Sequence, residues 1–368
     1  MYELAASGLS AQQVIKALQS NREIKYEYDL LNKEDKKIGA LSEVEGSYSF
    51  NSEAVIKGTG RFILNEKEYK NIDFLSERIK PYYCLKVGSE WIRWAQGIYL
   101  MNSPDRNEQD GGIYRNIEAY DKSIILKEDK VDTRYFIAAG TIYTDAVRDL
   151  ILSSGINKIS IQESSLVLTV DKEYEIGTSK LDIINNLLNS INYNSVWFDN
   201  NGFCVVRKYI NPKERSYEFV YKTDNNSITT YGSSETIDAF SIPNKFIRYV
   251  ENPETDYMIS IFINDKASNP LSTVSRGRTI TDIEAINDIP DQATLDDYVK
   301  RIANEKSKVI GGIKFNTLPM PHHSFLDCLY IKNTTLDISE KFIETAWSIN
   351  TSVNGLMSHT CRKVVELW

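Results

Sequence analysis

The chain has few of the residues that most often mark an active centre. It holds three histidines and four cysteines in 368 residues. Cys84, Cys204, Cys328 and Cys361 stand far apart, and no two share the Cys-x-x-Cys spacing of a metal or redox motif. They are expected to be reduced, buried, small apolar side chains. No apolar run approaches the ~18 residues of a membrane span. The start, Met1-Tyr2-Glu3-Leu4, lacks the basic and apolar regions of a secretory signal, so synthesis and folding in the cytoplasm are expected. There is no excess of positive charge either: 43 basic residues face 51 acidic ones, a net charge of −8. That argues against a general nucleic-acid binder, which needs a basic face to displace phosphate counterions. A wall of the same sign as DNA would instead let DNA pass without holding it.

Catalytic signatures are missing too. There is no Gly-x-Ser-x-Gly, and two of the three histidines are adjacent. His322 and His323, read as part of a strand, would point to opposite faces and could not share an ion. His359 and Cys361 would share a face, but two ligands fall short of the three that zinc normally takes from protein. Gly58-Thr59-Gly60 resembles the start of a dinucleotide loop, yet it opens a strand and offers no helix N-terminus to a phosphate. Carboxylate pairs such as Asp296-Asp297, Glu251 with Glu254, and Glu173 with Glu175 read as solvated faces in so acidic a chain. No catalytic residue, cofactor or metal is therefore expected.

What is present is β patterning. Its length allows two or three domains of roughly 100–200 residues. An arm over 1–19 carries a short helix that Ser10 can cap. From 20 to 131 the pattern is a series of short strands. They include 24–30, 46–50, 60–64, 82–87, 90–94, 97–101 and 114–120, with Asn32 to Asp35 and Gly88-Ser89 as turns. Such a set reads as a barrel or sandwich. The segment 132–214 reads as α+β. It has helices over 144–153 and 179–192, the second capped by Thr178 or Ser179, then a hairpin through Asn200-Asn201-Gly202. From 215 to 368 the pattern is β again, interrupted by one helix over 294–306. Leu295, Tyr298, Val299 and Ile302 form its apolar stripe, with Thr294 and Asp297 close to a capping box. Arg276-Gly277-Arg278 sits in a polar loop, where the two arginines could pair with acidic groups of a neighbouring subunit. Trp91, Trp94, Trp197, Trp347 and Trp368 read as core or interface packing.

The order of these parts resembles the baseplate or tail hub proteins of long-tailed phages, including the late control protein D family and the hub region of tail-associated lysins. The residues that carry the resemblance are few. They are the Trp197-Phe198-Asp199 hairpin after a helix, the Pro243-Asn244 strand start, and the lone helix before Phe315 to Pro319. The last is the acidic strand Leu326-Asp327-Cys328-Leu329-Tyr330-Ile331, in which Leu326 replaces the usual glycine and puts the tight turn there in question. The resemblance implies two tail-tube-like β-barrels with a small α+β domain, the 294–306 helix packing on that domain. It also implies a homotrimer that joins a sixfold tube to a threefold spike or tip. The implied partners are tube or distal tail, spike and tape-measure proteins around a channel for passing DNA, in a virion tail or phage-like particle. Two other readings compete: a cell-wall hydrolase component of a tail tip, and a carbohydrate-binding β module suggested by the aromatic content.

Overall fold

A computed structural model describes the chain except for residues 43, 67–71, 103–104, 110, 225–226, 231, 238, 252–256, 287, 308–310, 366 and 368. Trp368 and Glu254 thus lie outside the described residues. The class is mainly β with α+β insertions. Among the described residues fifteen strands join into one sheet. Nine come from the first third of the chain, between Ile24–Leu31 and Gly112–Asp121. Six come from the last part, between Phe219–Lys222 and Met357–Lys363.

The two groups meet where Glu45–Asn51 pairs antiparallel with the end of Ile338–Asn350. Phe50 lies opposite Trp347, and Tyr48 opposite Ile349. The Phe50 and Trp347 rings stack at 6.0 Å, and Tyr48 meets Trp347 edge-on at 6.3 Å. One hydrophobic cluster runs through both groups, from Leu18 and Tyr83 to Phe315, Leu329 and Met357. The two expected barrels do not close as ladders among the described residues. Lys37–Leu41 pairs only with Ile24–Leu31, and Ser234–Ile237 only with Gly311–Thr317. Strand Glu45–Asn51 uses its second edge for the partner group instead of for its own ring.

The long strand Ile338–Asn350 bends at a bulge. Its register shifts between Glu344 and Ala346, leaving Thr345 as the extra residue. Parity therefore flips there. Phe342, before the bulge, joins the same cluster as Trp347 and Ile349 after it.

A second hydrophobic cluster belongs to helices Tyr143–Ser153 and Lys180–Ser190. Ser179 caps the latter, accepting from the Asp182 amide at 3.1 Å. A third, smaller one lies under helix Gln292–Ser307. This helix starts two residues earlier than the sequence suggests. Asp291, not Thr294, caps it, accepting the Thr294 amide at 2.7 Å. It packs on a separate three-stranded sheet, in which Lys245–Val250 pairs with Ile259–Ile263 and Thr281–Ile286. It also reaches residues 189–193. The Asn189 amide donates to Tyr298 Oη at 3.2 Å, and Arg301 donates to the Tyr193 carbonyl at 2.8 Å.

Gly58 begins strand Gly58–Asn65. A Cβ there would sit 2.8 Å from Asp121 Oδ2, so small size is the requirement, not phosphate access.

The turn at Asp35 does more than reverse the chain. Asp35 takes φ +59°, and its side chain is buried. Its carboxylate pairs with Arg78, with Lys122 at 2.8 Å and with Lys158 at 3.8 Å. Burial alone would raise this carboxyl, but Lys122 and Arg78 hold it below its usual range. The cluster ties the first group of strands to the start of the α+β segment. Replacing Asp35 by Ala leaves Arg78 and Lys122 buried without their partner. The expected loss is about 3–5 kcal/mol of unfolding free energy in urea denaturation. A loss below ~1 kcal/mol would show that these cations are rehydrated without cost.

Candidate functional site: a buried histidine–carboxylate cluster

All three histidines converge on one buried spot beneath the last strands. His359 stands on strand Met357–Lys363, opposite both Phe315 and Trp347. His322 and His323 are not in a strand. They lie in the turn that follows Gly311–Thr317, and the backbone there is not bound to alternate its side chains. Glu344 arrives from the bulge of the neighbouring strand.

Glu344 is the centre. Its Oε2 lies 2.5 Å from His323 Nδ1 and its Oε1 2.6 Å from His359 Nδ1. The far side of each ring meets a hydroxyl. Tyr221 Oη is 2.6 Å from His323 Nε2, and Thr317 Oγ1 is 2.8 Å from His359 Nε2. Neutral imidazoles with the proton on Nδ1 satisfy every one of these bonds. Each ring then donates to the carboxylate and accepts from a hydroxyl. Tyr221 and Phe315 wrap the group, Phe315 stacking on His359 at 4.5 Å. Asp327 adds a second buried carboxylate, 3.9 Å from His323 Nδ1 and 2.7 Å from the Met1 amino group. His322 packs edge-on against Phe219, and neither of its ring nitrogens has a partner among the described residues.

Burial opposes the charge on Glu344, but His323 and the hydrogen bonds from both rings pull its carboxyl down to about 2. Burial pushes His322 well below the usual imidazole range, and pushes His359 down too despite its bond to Glu344. Burial raises Asp327.

The turn that presents His322 and His323 runs on to Leu326. That residue adopts φ +52°, the conformation a glycine would take at ease. The tight turn therefore forms without its glycine. Ser324 donates its amide to Asp327 Oδ2 at 2.7 Å, and Arg215 holds the Leu326 carbonyl at 2.8 Å. Leu326 also lines a cleft of about 250 Å³ with Trp197, Arg207, Tyr209, Arg215 and Phe325. Trp197 stacks on Phe325 at 4.3 Å, so that face of the indole is taken.

Other residues singled out from the sequence have quieter places. Cys361 is buried opposite Glu344 on the neighbouring strand but outside the cluster of donor atoms. All four cysteines are free and buried. Arg276 ends a short helix, Thr273–Arg276, and donates to the carbonyls of Ala239, Phe240 and Ile242. Arg278 donates to the Phe240 carbonyl at 2.8 Å, with its guanidinium 4.5 Å from the centre of the Phe240 ring. Both arginines are thus engaged within the chain, while Phe240 itself is 76% exposed. Trp94 and Trp347 are buried, and Lys25 covers Trp91 at 4.4 Å. Glu344 belongs to no sequence motif that marks a site. Its signal was a lone acid inside the apolar run Phe342 to Trp347.

No family model matches the chain, and no curated protein matches it. Solved structures do. The chain shares its fold with the tail protein from Neisseria meningitidis MC58. That match has a TM-score of 0.66 at 11% identity and spans 94% of this chain and 98% of that one. The 43 kDa tail protein of prophage MuSo2 from Shewanella oneidensis matches with a TM-score of 0.64 at 10% identity, over 91% and 98% of the two chains. Prophage tail protein gp18 from Listeria monocytogenes EGD-e gives 0.58 at 11% identity, over 91% and 94%. The likeness is of fold, and it runs nearly end to end on both sides of each pair.

Two measurements probe the site. Leu326→Gly relieves the left-handed leucine and is expected to stabilise the fold by about 1 kcal/mol. A decrease would mean that leucine packing in the cleft outweighs the strain. The second is acid sensitivity. Glu344, His322 and His359 all have folded values below their unfolded ones. Each thus stabilises the fold above its unfolded value, roughly 4.3 for the carboxyl and 6.5 for the imidazoles. That stability is lost as pH falls, and for Glu344 the loss is complete near 2. Asp327, shifted upward, works in the opposite sense. Unfolding free energy should therefore fall below about pH 6.5 through the histidines and further below about 4.3 through Glu344, and Glu344→Gln should be less stable at pH 7 by about 2–3 kcal/mol. A profile unchanged by that substitution would remove Glu344 from the account.

Proposed function

We propose that the chain is a structural hub of a phage or phage-like tail tip or baseplate, with no reaction of its own. The single observation that carries this reading is the near end-to-end fold match to three solved tail proteins. In this reading 20–131 and 215–368 form two quasi-equivalent parts of one subunit, with the arm 1–19 before them and the α+β segment 132–214 beside them. Three subunits would then present six such parts to a sixfold tube and three faces to a spike or tip. The net charge of −8 suits a channel that DNA or a tape-measure protein must traverse without sticking. Among the described residues no helix is long and apolar enough to cross a membrane.

The joined sheet supports a structural role. Open ladders leave strand edges that a neighbouring subunit can continue. The loop tip of Phe240 and Arg278 is the proposed contact between subunits, with Arg276 holding its base. Neither competing function has a specific observation behind it. The cleft indole is stacked, and the buried cluster offers no access to a polymer.

Electron microscopy of the purified chain, alone or with tail partners, tests the hub. Rings of threefold or sixfold symmetry are expected, and a ring of any other symmetry overturns it. Arg278→Glu should weaken assembly in sedimentation while leaving the circular dichroism unchanged. Full assembly of that variant would move the contact elsewhere.

A further inference from the structure

We propose that His323, Glu344 and His359 form a buried site for one divalent transition-metal ion of the zinc class. This goes beyond the tail reading and does not depend on it. The donor atoms of the three residues lie within 4.8 Å of one another, and all three residues are buried. They come from three separate elements: the turn after Gly311–Thr317, the bulge of Ile338–Asn350, and strand Met357–Lys363. Two imidazoles and a carboxylate suit zinc, which is content with nitrogen and oxygen donors in a tetrahedral set.

The ring orientations fit the same reading. Each Nδ1 faces the centre, while each Nε2 is held from outside by Tyr221 or Thr317. Metal-bound histidines are held in this way, the second nitrogen fixed by an outer partner that sets the tautomer. Those two hydroxyls can accept from Nε2–H as readily as they can donate to it.

Charge is the stronger support. Glu344 and Asp327 are both buried; Asp327 has the Met1 amino group at 2.7 Å, whereas among the described residues Glu344 meets only the two imidazoles. A buried carboxylate without a fixed cation, as Glu344 is, needs a counter-charge. A dication supplies it where neutral imidazoles cannot. Next to the group, 5.1 Å from the His323 ring, stands His322 with two buried and unpartnered nitrogens. This is a further donor for which the protein fold alone provides no partner.

The rearrangement needed is small. Ligands on one tetrahedral ion at about 2.0–2.2 Å sit roughly 3.3–3.6 Å apart. The present nitrogen–oxygen separations are 2.5 and 2.6 Å, so each ring must withdraw by about 1 Å. Such an ion would clamp the turn, the bulge and the last strand together, where the first group of strands is joined.

The full chain should be unfolded, stripped with a chelator, and refolded with Zn²⁺ or with chelator present. The expected result is one ion per chain after desalting and a higher thermal midpoint in the zinc-refolded sample. Co²⁺ in place of Zn²⁺ should give visible absorption without a thiolate charge-transfer band, and X-ray absorption should show imidazole and oxygen neighbours. No retained metal together with an unchanged midpoint overturns the proposal. Retained metal with sulfur in its shell also overturns it, because a cysteine site would then be responsible. Should Glu344→Gln or His359→Gln fail to fold, the wild-type spectra still decide. If they fold, metal retention should be lost in both, and retention by both would equally refute the site.

Discussion

The ladder between Glu45–Asn51 and Ala346–Asn350 is the constraint on which the rest of the molecule depends. It brings together segments about three hundred residues apart in the chain. Thr351 seals its end, donating its amide to the Gly46 carbonyl at 2.9 Å and accepting the Gly46 amide at 3.1 Å. Gly46 must be glycine at this approach, because a Cβ there would meet the Arg61 carbonyl oxygen at 2.0 Å. The closure entropy of so long a loop is recovered only by cooperative burial around Phe50, Tyr48 and Trp347. Without this pairing the single hydrophobic cluster would split into two smaller ones, each with an exposed strand edge.

Two buried carboxylates, Asp35 on one side of that join and Glu344 on the other, are stabilised in different ways. Asp35 is met by guanidinium and ammonium groups, so its charge is balanced by fixed cations. Glu344 is met by imidazoles backed by hydroxyls, a set that can balance charge only through a proton or an ion. The first is a structural clamp between a turn and the α+β segment. The second is chemically open and sits where three elements of the other half converge. A bulge at Thr345 makes it possible, since it keeps Glu344 on the inner face together with Trp347.

Much of the local structure was legible in the chain. Gly88-Ser89 marks a hairpin, and Gly88 has φ +64°. Asn201-Gly202 marks another, with Gly202 at φ +81°. The apolar stripe Leu295, Tyr298 and Val299 is buried as its spacing implies. Local rules failed where a distant group made the decision. Leu326 takes a glycine's conformation because Arg215 and Asp327 hold the turn from outside. Asp291 starts the helix because its carboxylate reaches the Thr294 amide three residues further in. His322 and His323 do not alternate because the chain has left the sheet before them.

By itself the sequence determined the β-rich class, the positions of most hairpins, the amphipathic helices and the burial of the cysteines. These follow from alternation, helical spacing and turn chemistry, all of which act over a few residues. Only the tertiary structure decided that the two β regions share one sheet instead of closing separately, and that His323 and His359 meet at Glu344. Strand pairing between remote segments depends on which edges are left open and which faces match. Such matching is a property of the assembled surfaces, and no short stretch of chain contains it.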